Sequence, residues 1–320
     1  MRAVVSRRYG GPEVVEVADV PDPAPRAGEL LVRVEATDLT AADAALRSGS
    51  PFAARLFAGL RKPRIPVLGA DFAGTVAAIG DGVTRFGVGD AVWGATGAAM
   101  GAHAELVVVP EDGAVALRPP ALSATDAASL VDATALSFLR DTAELRRGER
   151  ILINGASGAV GTAAVQLAVD MGAEVAAVCS SARVELVRAL GATQIYDYRE
   201  VDVTTRAERY DVIFDVVGNM GYRRARAILT PTGRYLVTVP TFGALAWHGL
   251  TLGSRGRRSR IAFTGLRKAT VVRGDLDATR ALVETGRIRA VVDGVYPFSS
   301  GRAAHAHVAR GKAGHVILTP

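Results

Sequence analysis

One stretch decides how the rest of the chain is interpreted: Arg150-Ile151-Leu152-Ile153-Asn154-Gly155-Ala156-Ser157-Gly158-Ala159-Val160-Gly161. Its apolar start predicts a buried strand, its glycines predict a tight turn, and residues 160–171 carry apolar side chains at helical spacing. Small residues let the backbone approach a pyrophosphate, and the first turn of a helix presents N–H groups and a positive dipole end. This strand–turn–helix order predicts a dinucleotide-binding loop, although the glycines follow G-x-x-G-x-x-G rather than the strict G-x-G-x-x-G spacing.

Strands and helices alternate on the carboxyl side of this loop, which predicts parallel βαβ units. The predicted strands are 150–154, 174–179, 211–217 and 233–239, and the predicted helices are 160–171, 184–190 and 223–229.

The first part of the chain has a different pattern, with short strand-like runs separated by Gly, Pro and Asp turns. These runs are 2–5, 13–17, 30–35, 74–79, 91–93 and 104–109. Pro119-Pro120 ends this part, and Ser123 with Asp126 is the expected N-cap of the next helix. We therefore expect a β-rich domain over 1–121, followed by a dinucleotide-binding domain over 122–262.

The end of the second predicted strand selects the cofactor. NAD sites usually carry an acid there for the ribose 2′-hydroxyl, about 20 residues beyond the loop, but this strand ends in Ser180, Ser181 and Arg183. Hydroxyl groups and a guanidinium suit a 2′-phosphate, so we expect NADPH. In the alternative interpretation, the serines cap the following helix and Arg183 merely opens it on the surface.

Composition excludes several protein classes. The chain has 320 residues, a formal net charge of +6, one cysteine (Cys179) and five scattered histidines. One cysteine forms neither an internal disulfide nor a multi-cysteine zinc site, and no apolar run or cleavage-site pattern predicts a membrane span or secretion. A cytoplasmic protein is expected. The arginines of 255–260 are expected in a solvated loop, with nucleic-acid binding as the alternative.

Several further segments, together with the loop, resemble the medium-chain dehydrogenase/reductase superfamily in its zinc-independent quinone oxidoreductase and enoyl reductase-like branch. The resemblance covers nearly the whole chain and is carried by Gly28–Glu35, Ile65–Gly74, Val83–Asp90, Gly101–Glu105, Glu185–Ala192 and Tyr196–Tyr198.

The resemblance implies an α/β fold: a Rossmann-type doubly wound parallel sheet plus a GroES-like β-rich catalytic domain. It implies that this catalytic domain is built from both chain ends, 1–121 and 263–320. It further implies a cleft between the domains, NADPH bound along it, and a homodimer. With the residues deduced above, the expected cofactor-binding set is Thr134, Gly155, Ser157, Gly158, Ala159, Val160, Ser180, Ser181, Arg183, Tyr198, Val217, Gly218 and Val239.

Zinc-dependent relatives carry a catalytic Cys and a His-Glu pair. Here those positions lie within Thr37–Thr40 and at Ala70-Asp71, so a tetrahedral N/S ligand set is not expected. The reaction then expected is metal-free hydride transfer from NADPH to an electron-poor alkene or a quinone, with a specialised biosynthetic intermediate as a candidate substrate. The alternatives are carbonyl reduction or reductive cyclisation and, in another class, a non-catalytic protein that binds NADPH or RNA.

Three residues are the catalytic candidates. Thr40 stands where the family has an asparagine and could donate a hydrogen bond to a developing oxyanion. Asp132 stands where relatives carry a small apolar residue; it is either a proton donor beside the nicotinamide or a helix cap. Asp71 is common in the branch and is either catalytic or structural.

Overall fold

The computed structural model describes residues 1–131 and 133–320, with the side chains of all of these except Ala53 and Phe57. The chain forms two compact units. Unit 1 joins Met1–Ala133 to Gly265–Pro320, and unit 2 is Thr134–Thr264. Both ends of the chain therefore build one unit, and the glycine loop belongs to the other.

The strands are β1 Arg2–Ser6, β2 Val15–Asp19, β3 Glu29–Asp38, β4 Asp71–Ile79, β5 Ala91–Ala95, β6 Leu106–Pro110, β7 Ala114–Leu117, β8 Arg150–Asn154, β9 Glu174–Cys179, β10 Gln194–Asp197, β11 Tyr210–Asp215, β12 Leu229–Val237, β13 Arg258–Ile261, β14 Val292–Pro297 and β15 His315–Thr319. The α-helices are α1 Ala41–Ser48, α2 Ala53–Ala58, α3 Ala124–Ser129, α4 Thr134–Leu136, α5 Ala159–Asp170, α6 Val184–Ala189, α7 Tyr222–Ala225, α8 Phe242–Leu250, α9 Ala269–Glu284 and α10 Gly301–Arg310.

Unit 2 is built on a six-stranded parallel sheet in the order β10-β9-β8-β11-β12-β13. The chain moves outward from β8 in one direction and then returns to its other side at β11. Ligands of open α/β sheets bind at the carboxyl ends of the strands where the order reverses in this way. Leu152, Ile213 and Phe214 are fully buried, which anchors the two central strands in the core. The predicted doubly wound parallel sheet is confirmed.

Unit 1 contains a two-stranded antiparallel sheet of β1 and β2 and a larger sheet in the order β14-β15-β3-β4-β5-β7, with β6 also paired to β3. Neighbours in the larger sheet are antiparallel except for β14 and β15. The C-terminal strand β15 lies beside β3, which explains why both ends of the chain belong to one β-rich unit.

Helix α3 lies with unit 1, although it begins after residue 121, where the sequence pattern changes. Ser123 is its N-cap, as expected, and accepts a 3.0 Å hydrogen bond from the Asp126 amide through Oγ. Ala127 and Ala128 are buried in one cluster with Trp93 of β5. This burial against the antiparallel sheet moves the edge of the unit to Ala133.

The arginine-rich segment is partly a strand, so the expectation of a solvated loop over 255–260 is wrong for its second half. Arg258–Ile261 forms β13 at the edge of the parallel sheet, in register with β12. Ser259 and Ile261 are buried, whereas Arg258 and Arg260 are partly exposed. The period-2 alternation of a strand is present, but flanking charges hide it in the sequence.

No helix among the described residues combines the length and apolar character needed to cross a bilayer.

Candidate active site at the carboxyl edge of the parallel sheet

The glycine loop after β8 depends on two close backbone approaches. Gly155 has φ +85°, and a Cβ there would lie 2.6 Å from Val217 Cγ2. A Cβ on Gly161 would lie 2.1 Å from the carbonyl oxygen of Gly155, so α5 packs onto the loop only with glycine at this position. The nearest atom to a Cβ on Gly158 is 3.6 Å away. The loop therefore leaves room for a ligand beside Gly158.

The start of α5 presents backbone donors at this open position. Gly158 is the N-cap, with an extended backbone and no capping side chain. The first turn of a helix leaves N–H groups without intrahelical acceptors, and here these belong to Ala159, Val160 and Gly161. Because no side chain caps them, the N–H groups and the helix dipole are available to a phosphate group.

Asp215, which the sequence analysis did not single out, organises this edge of the sheet. It is fully buried at the end of β11. Its Oδ1 accepts hydrogen bonds from Asn154 Nδ2 at 2.7 Å and from the Gly218 amide at 2.9 Å. Its Oδ2 accepts from the Met220 amide at 2.9 Å and from the Tyr235 hydroxyl at 2.7 Å. The carboxylate thus ties β8, β12 and the loop after β11 together.

Tyr235 is buried beside Asp215. Burial and the neighbouring Asp215 carboxylate raise the pKa of its hydroxyl well above the ordinary value, so it remains a hydrogen-bond donor.

The tip of β9 carries the three residues expected to select the cofactor. Residues Ser181–Arg183 form a single 3-10 turn that leads into α6. Neither this turn nor α6 has a side-chain cap at its N-terminus, so the serines do not cap the helix as the alternative interpretation requires. Ser181 is exposed and Ser180 and Arg183 are partly exposed, so a ligand can reach all three.

A carboxylate that the sequence analysis did not weigh lies beside these residues. Asp197, at the end of β10, accepts a 2.8 Å hydrogen bond from the Ser181 amide and one from the Arg199 amide. These bonds keep the pKa of Asp197 below its ordinary value, and the bond from the Arg199 amide contributes most. The strand tip expected to select the cofactor therefore has a negative charge beside it as well as Arg183.

Tyr198 follows Asp197 and is 58% exposed. The guanidinium of Arg199 lies 5.7 Å from the centre of its ring. The next strand tip thus presents an aromatic face and a second arginine. The sequence signal for Arg199 was its place directly after the expected Tyr198.

The remaining expected cofactor contacts follow strand ends. Val217 and Gly218 lie just beyond β11, and Val239 lies just beyond β12. Gly218 has φ +77°, and a Cβ there would meet Val239 Cβ at 2.8 Å, so these two loops touch. Thr134 opens α4, and its Oγ1 is 3.0 Å from Thr264 Oγ1.

The catalytic candidates Thr40 and Asp71 belong to unit 1. Thr40 is the N-cap of α1, and its hydroxyl donates to Asp43 Oδ2 at 2.6 Å in a capping box. An oxyanion would have to compete with Asp43 for that proton. Asp71 begins β4 and is buried, and its backbone oxygen accepts a 2.7 Å hydrogen bond from Thr37 Oγ1. Asp132 lies outside the described residues.

A cavity lies elsewhere in unit 2, at the amino ends of β8 and β13. It has a volume of about 510 Å³, and its lining includes Glu149, Arg234 and Arg258. Because α/β sheets bind ligands at the opposite edge, we do not assign the dinucleotide to this cavity. No cluster of three or more metal-ligating side chains occurs in the described part of the chain.

Comparison with known proteins identifies the family. The model of the alcohol dehydrogenase GroES-like domain matches residues 26–120, and that of the zinc-binding dehydrogenase matches residues 190–318. Quinone oxidoreductase of Pseudomonas aeruginosa is 32% identical over 330 residues, which cover 98% of this chain and 97% of that protein. The chain belongs to the quinone oxidoreductase-like branch of the medium-chain dehydrogenase/reductase superfamily.

Solved structures agree with this placement. The quinone oxidoreductase of Coxiella burnetii superposes with a TM-score of 0.89 at 28% identity and covers 100% of this chain and 99% of its own. The Escherichia coli quinone oxidoreductase complexed with NADPH has a TM-score of 0.85 at 25% identity and full coverage of both chains. This medium-chain dehydrogenase/reductase is an oxidoreductase with a GroES-like unit 1 and a Rossmann-like unit 2.

Proposed function

We propose that this oxidoreductase transfers a hydride from NADPH to an activated C=C bond or to a quinone. The observation that carries the proposal is the tip of β9, where Ser180, Ser181 and Arg183 are accessible and the serines do not cap a helix. A 2′-phosphate accepts charge-assisted hydrogen bonds from such groups. The Escherichia coli relative, solved as a complex with NADPH, supports the same choice.

The residues at this edge of the sheet fit a dinucleotide. The open position beside Gly158 and the amides of Ala159 and Val160 would hold the pyrophosphate. Tyr198 would lie at the adenosine end. When bound, the dihydronicotinamide supplies the hydride, and the protein's part is to orient it and to manage charge and protons. Val217, Gly218, Val239 and Thr134 are the residues proposed for the nicotinamide and ribose side.

The groups proposed to act on the substrate are Thr40, Asp71 and Asp132. An enone gains negative charge on its carbonyl oxygen during reduction, which a hydrogen-bond donor stabilises. We assign this donor role to Thr40, whose hydroxyl would exchange its bond to Asp43 for one to the substrate. The proposed roles of Asp71 and Asp132 are to hold or deliver a proton near the reacting carbons.

The first test is a direct assay. The purified protein is mixed with NADPH or NADH and with a panel of quinones, enals, enones and aldehydes, while the absorbance at the dihydronicotinamide band is followed. We expect NADPH oxidation with enones or quinones. Turnover of aldehydes alone would replace the proposal with carbonyl reduction, and tight NADPH binding without any turnover would favour a non-catalytic protein.

The second test addresses the cofactor. Arg183→Ala should raise KM for NADPH about tenfold to a hundredfold, because a charged hydrogen bond is worth roughly 1.5–3 kcal/mol, and should change KM for NADH little. Arg188→Ala is the matched control, since Arg188 lies on the next helix turn and forms an exposed ion pair with Glu185. Equal effects of Arg183→Ala on both cofactors would contradict the assignment.

The third test addresses zinc. We propose that the reaction needs no metal, because Thr37–Thr40 and Ala70-Asp71 occupy the positions at which zinc-dependent relatives have their ligands, and because the only cysteine, Cys179, is buried in unit 2. Dialysis against a chelator should leave kcat unchanged. Loss of activity that added zinc restores would overturn this part of the proposal.

A further inference from the structure

The cavity at the amino ends of β8 and β13 is not used by the function proposed above. Its volume of about 510 Å³ lies in the range of small-molecule sites. All of its lining residues belong to unit 2, where they come from residues 141–149 and from strands β12 and β13. The glycine loop follows the carboxyl end of β8, so the cavity and the proposed dinucleotide site lie at opposite edges of one sheet.

Three arginines of two neighbouring strands line this cavity. Arg234 of β12 is the register partner of Arg258 of β13. Arg260 follows two residues later, where the side chains of a strand return to the same face. Ser259 between them is buried, which places it on the other face. Three guanidinium groups are therefore gathered on one side of the sheet, in one concave place.

The charge of Arg234 is cancelled within the protein. Its Nη1 and Nη2 donate to the two carboxylate oxygens of Glu149 at 2.7 and 2.8 Å, and its Nε donates to the Ala143 carbonyl at 2.9 Å. Burial would raise the pKa of Glu149, but the hydrogen bonds from Arg234 and from the Arg146 amide outweigh it, and the pKa lies below the ordinary value. This ionised, bidentate pair forms one wall of the cavity.

Arg258 and Arg260 have no such partner. Neither forms an ion pair with a carboxylate in the part of the chain that the structure describes, and the buried Nε of Arg258 finds no hydrogen-bond acceptor there. Arg260 donates only to backbone oxygens, from Nη1 to Ser259 at 3.2 Å and from Nη2 to Leu252 at 3.5 Å. Burial, and then the charge of Arg258, lowers the pKa of Arg260, so the two positive charges lie close together.

The acids of the lining leave this charge in place. Asp141 accepts hydrogen bonds of 2.6 and 2.8 Å from the guanidinium of the arginine before it, and Glu149 is held in the wall described above. Glu144 is exposed and forms no ion pair with a described arginine. Three arginines of the lining remain against this one carboxylate: Arg146, Arg258 and Arg260. The cavity therefore has an excess of positive charge.

We propose that this cavity binds the phosphate group of a small phosphorylated molecule, with Arg258 and Arg260 as its contacts. A guanidinium donates two parallel hydrogen bonds to phosphate oxygens, and a dianion offsets the repulsion between two neighbouring positive charges. The cavity volume fits a whole small molecule rather than a single ion. A nucleic-acid backbone would need a basic stripe along the surface, whereas these two arginines share one cavity.

The test is a calorimetric titration of the full-length protein with glycerol 3-phosphate and with inorganic phosphate, at an ionic strength held constant with sodium chloride. Arg258→Gln and Arg260→Gln should each raise the Kd for glycerol 3-phosphate about tenfold to a hundredfold, the range for a lost charge-assisted hydrogen bond. Arg255→Gln is the matched control, because Arg255 is an exposed arginine of the same segment outside the lining. Its Kd should stay within about twofold of wild type.

Thermal unfolding gives a second readout and checks that the variants fold. Because Arg258 and Arg260 repel each other and pair with no described carboxylate, Arg258→Gln should leave the midpoint of the ligand-free protein unchanged or raise it. Glycerol 3-phosphate should raise the midpoint of the wild type and of Arg255→Gln, but not that of Arg258→Gln. A ligand-induced rise of equal size in all three proteins would overturn the proposal.

Repeating the titrations with saturating NADPH separates this site from the dinucleotide site. Binding that persists beside NADPH supports the proposal, and binding that NADPH abolishes overturns it. An equal loss of affinity in Arg255→Gln and Arg258→Gln would also overturn it, since the attraction would then belong to the whole arginine-rich segment. Glycerol 3-phosphate that binds no more tightly than inorganic phosphate would contradict a phosphorylated molecule as the occupant. None of these readouts needs turnover, so a failure here leaves the proposed function standing.

The nucleic-acid alternative has its own outcome. Binding of a single-stranded RNA oligonucleotide that weakens steeply with salt, together with no binding of glycerol 3-phosphate, would replace the cavity site with a nucleic-acid surface.

Discussion

At the scale of single residues, Asp215 shows how one buried carboxylate holds a binding edge in place. Its two oxygens accept four hydrogen bonds, two from side chains and two from backbone amides. These donors come from β8, from β12 and from the loop that carries Val217 and Gly218. A change at Asp215 should therefore weaken both the fold of unit 2 and the proposed cofactor site.

Asp215→Asn should lower the free energy of unfolding by about 2 kcal/mol, because the new amide faces donors rather than acceptors. The loss is measured by urea unfolding, and NADPH affinity should fall in the same variant. Tyr235→Phe removes only one donor and is the control, with an expected loss of about 1 kcal/mol. Equal stability of wild type and Asp215→Asn would show that the network does not stabilise the sheet edge.

Local sequence patterns single out some residues at this edge of the sheet but not those that act through distant partners. Ser180, Ser181 and Arg183 stand out because an acid is expected at that strand tip. Asp215 lies inside a predicted strand, and its two side-chain partners, Asn154 and Tyr235, lie 61 and 20 positions away in the sequence. Nothing in the local pattern distinguishes such a residue from an ordinary strand aspartate.

At the scale of elements, β8, the glycine loop and α5 were predicted closely. Strands 150–154 and 174–179 have the predicted bounds, and α5 begins at Ala159, next to the predicted start. Apolar runs and glycines determine these elements directly. The edge strand β13 was missed, because only Ser259 and Ile261 are buried among arginines, and a half-exposed edge needs no continuous apolar run.

The loop provides a paired prediction. Gly161→Ala places a Cβ 2.1 Å from a backbone oxygen that cannot move without shifting the loop, so unfolding free energy should fall by about 2 kcal/mol or more. Gly158→Ala meets nothing closer than 3.6 Å, and its extended backbone suits alanine, so stability should hardly change. Thermal unfolding of both variants decides this, and equal midpoints would contradict the packing argument.

The same pair distinguishes packing from ligand space. Gly158→Ala fills the open position beside the loop and should weaken NADPH binding, measured by calorimetry, while the protein remains folded. Unchanged affinity in this variant would move the pyrophosphate away from Gly158.

At the scale of the whole molecule, unit 1 is built from both chain ends and buries several charged or titratable side chains among its apolar clusters. Asp38, Arg47, His103 and His305 are all buried within it. Only the family resemblance predicts that the two ends belong to one unit, because the pairing of β3 with β15 leaves no local signal in the sequence. The burial of these side chains was likewise not predicted, since the sequence pattern of an isolated buried histidine or acid in a short strand is the same as that of a surface residue.

The buried His305 should make the free energy of unfolding depend on pH in a range above the one in which carboxylates titrate. Burial, then the neighbouring His103 and Arg47, lowers the pKa of His305 from 6.5 to about 3. Between these values the unfolded chain binds a proton at residue 305 that the folded chain does not. Stability from this group is therefore complete above pH 6.5 and is lost as the pH falls toward 3, by at most about 1.4 kcal/mol per pH unit.

The carboxylates whose pKa is lowered, such as Asp38 and Glu149, contribute stability that is lost only below the ordinary values of 3.8 and 4.5. The range from pH 6.5 to 5 therefore lies above the pH at which these carboxylates lose their contribution. His305→Leu should flatten the fall in unfolding free energy across this range, measured by urea titrations at pH 7 and pH 5. If the variant loses as much stability as wild type between these two pH values, the proton uptake belongs to another group, and His305 is not buried as a neutral imidazole.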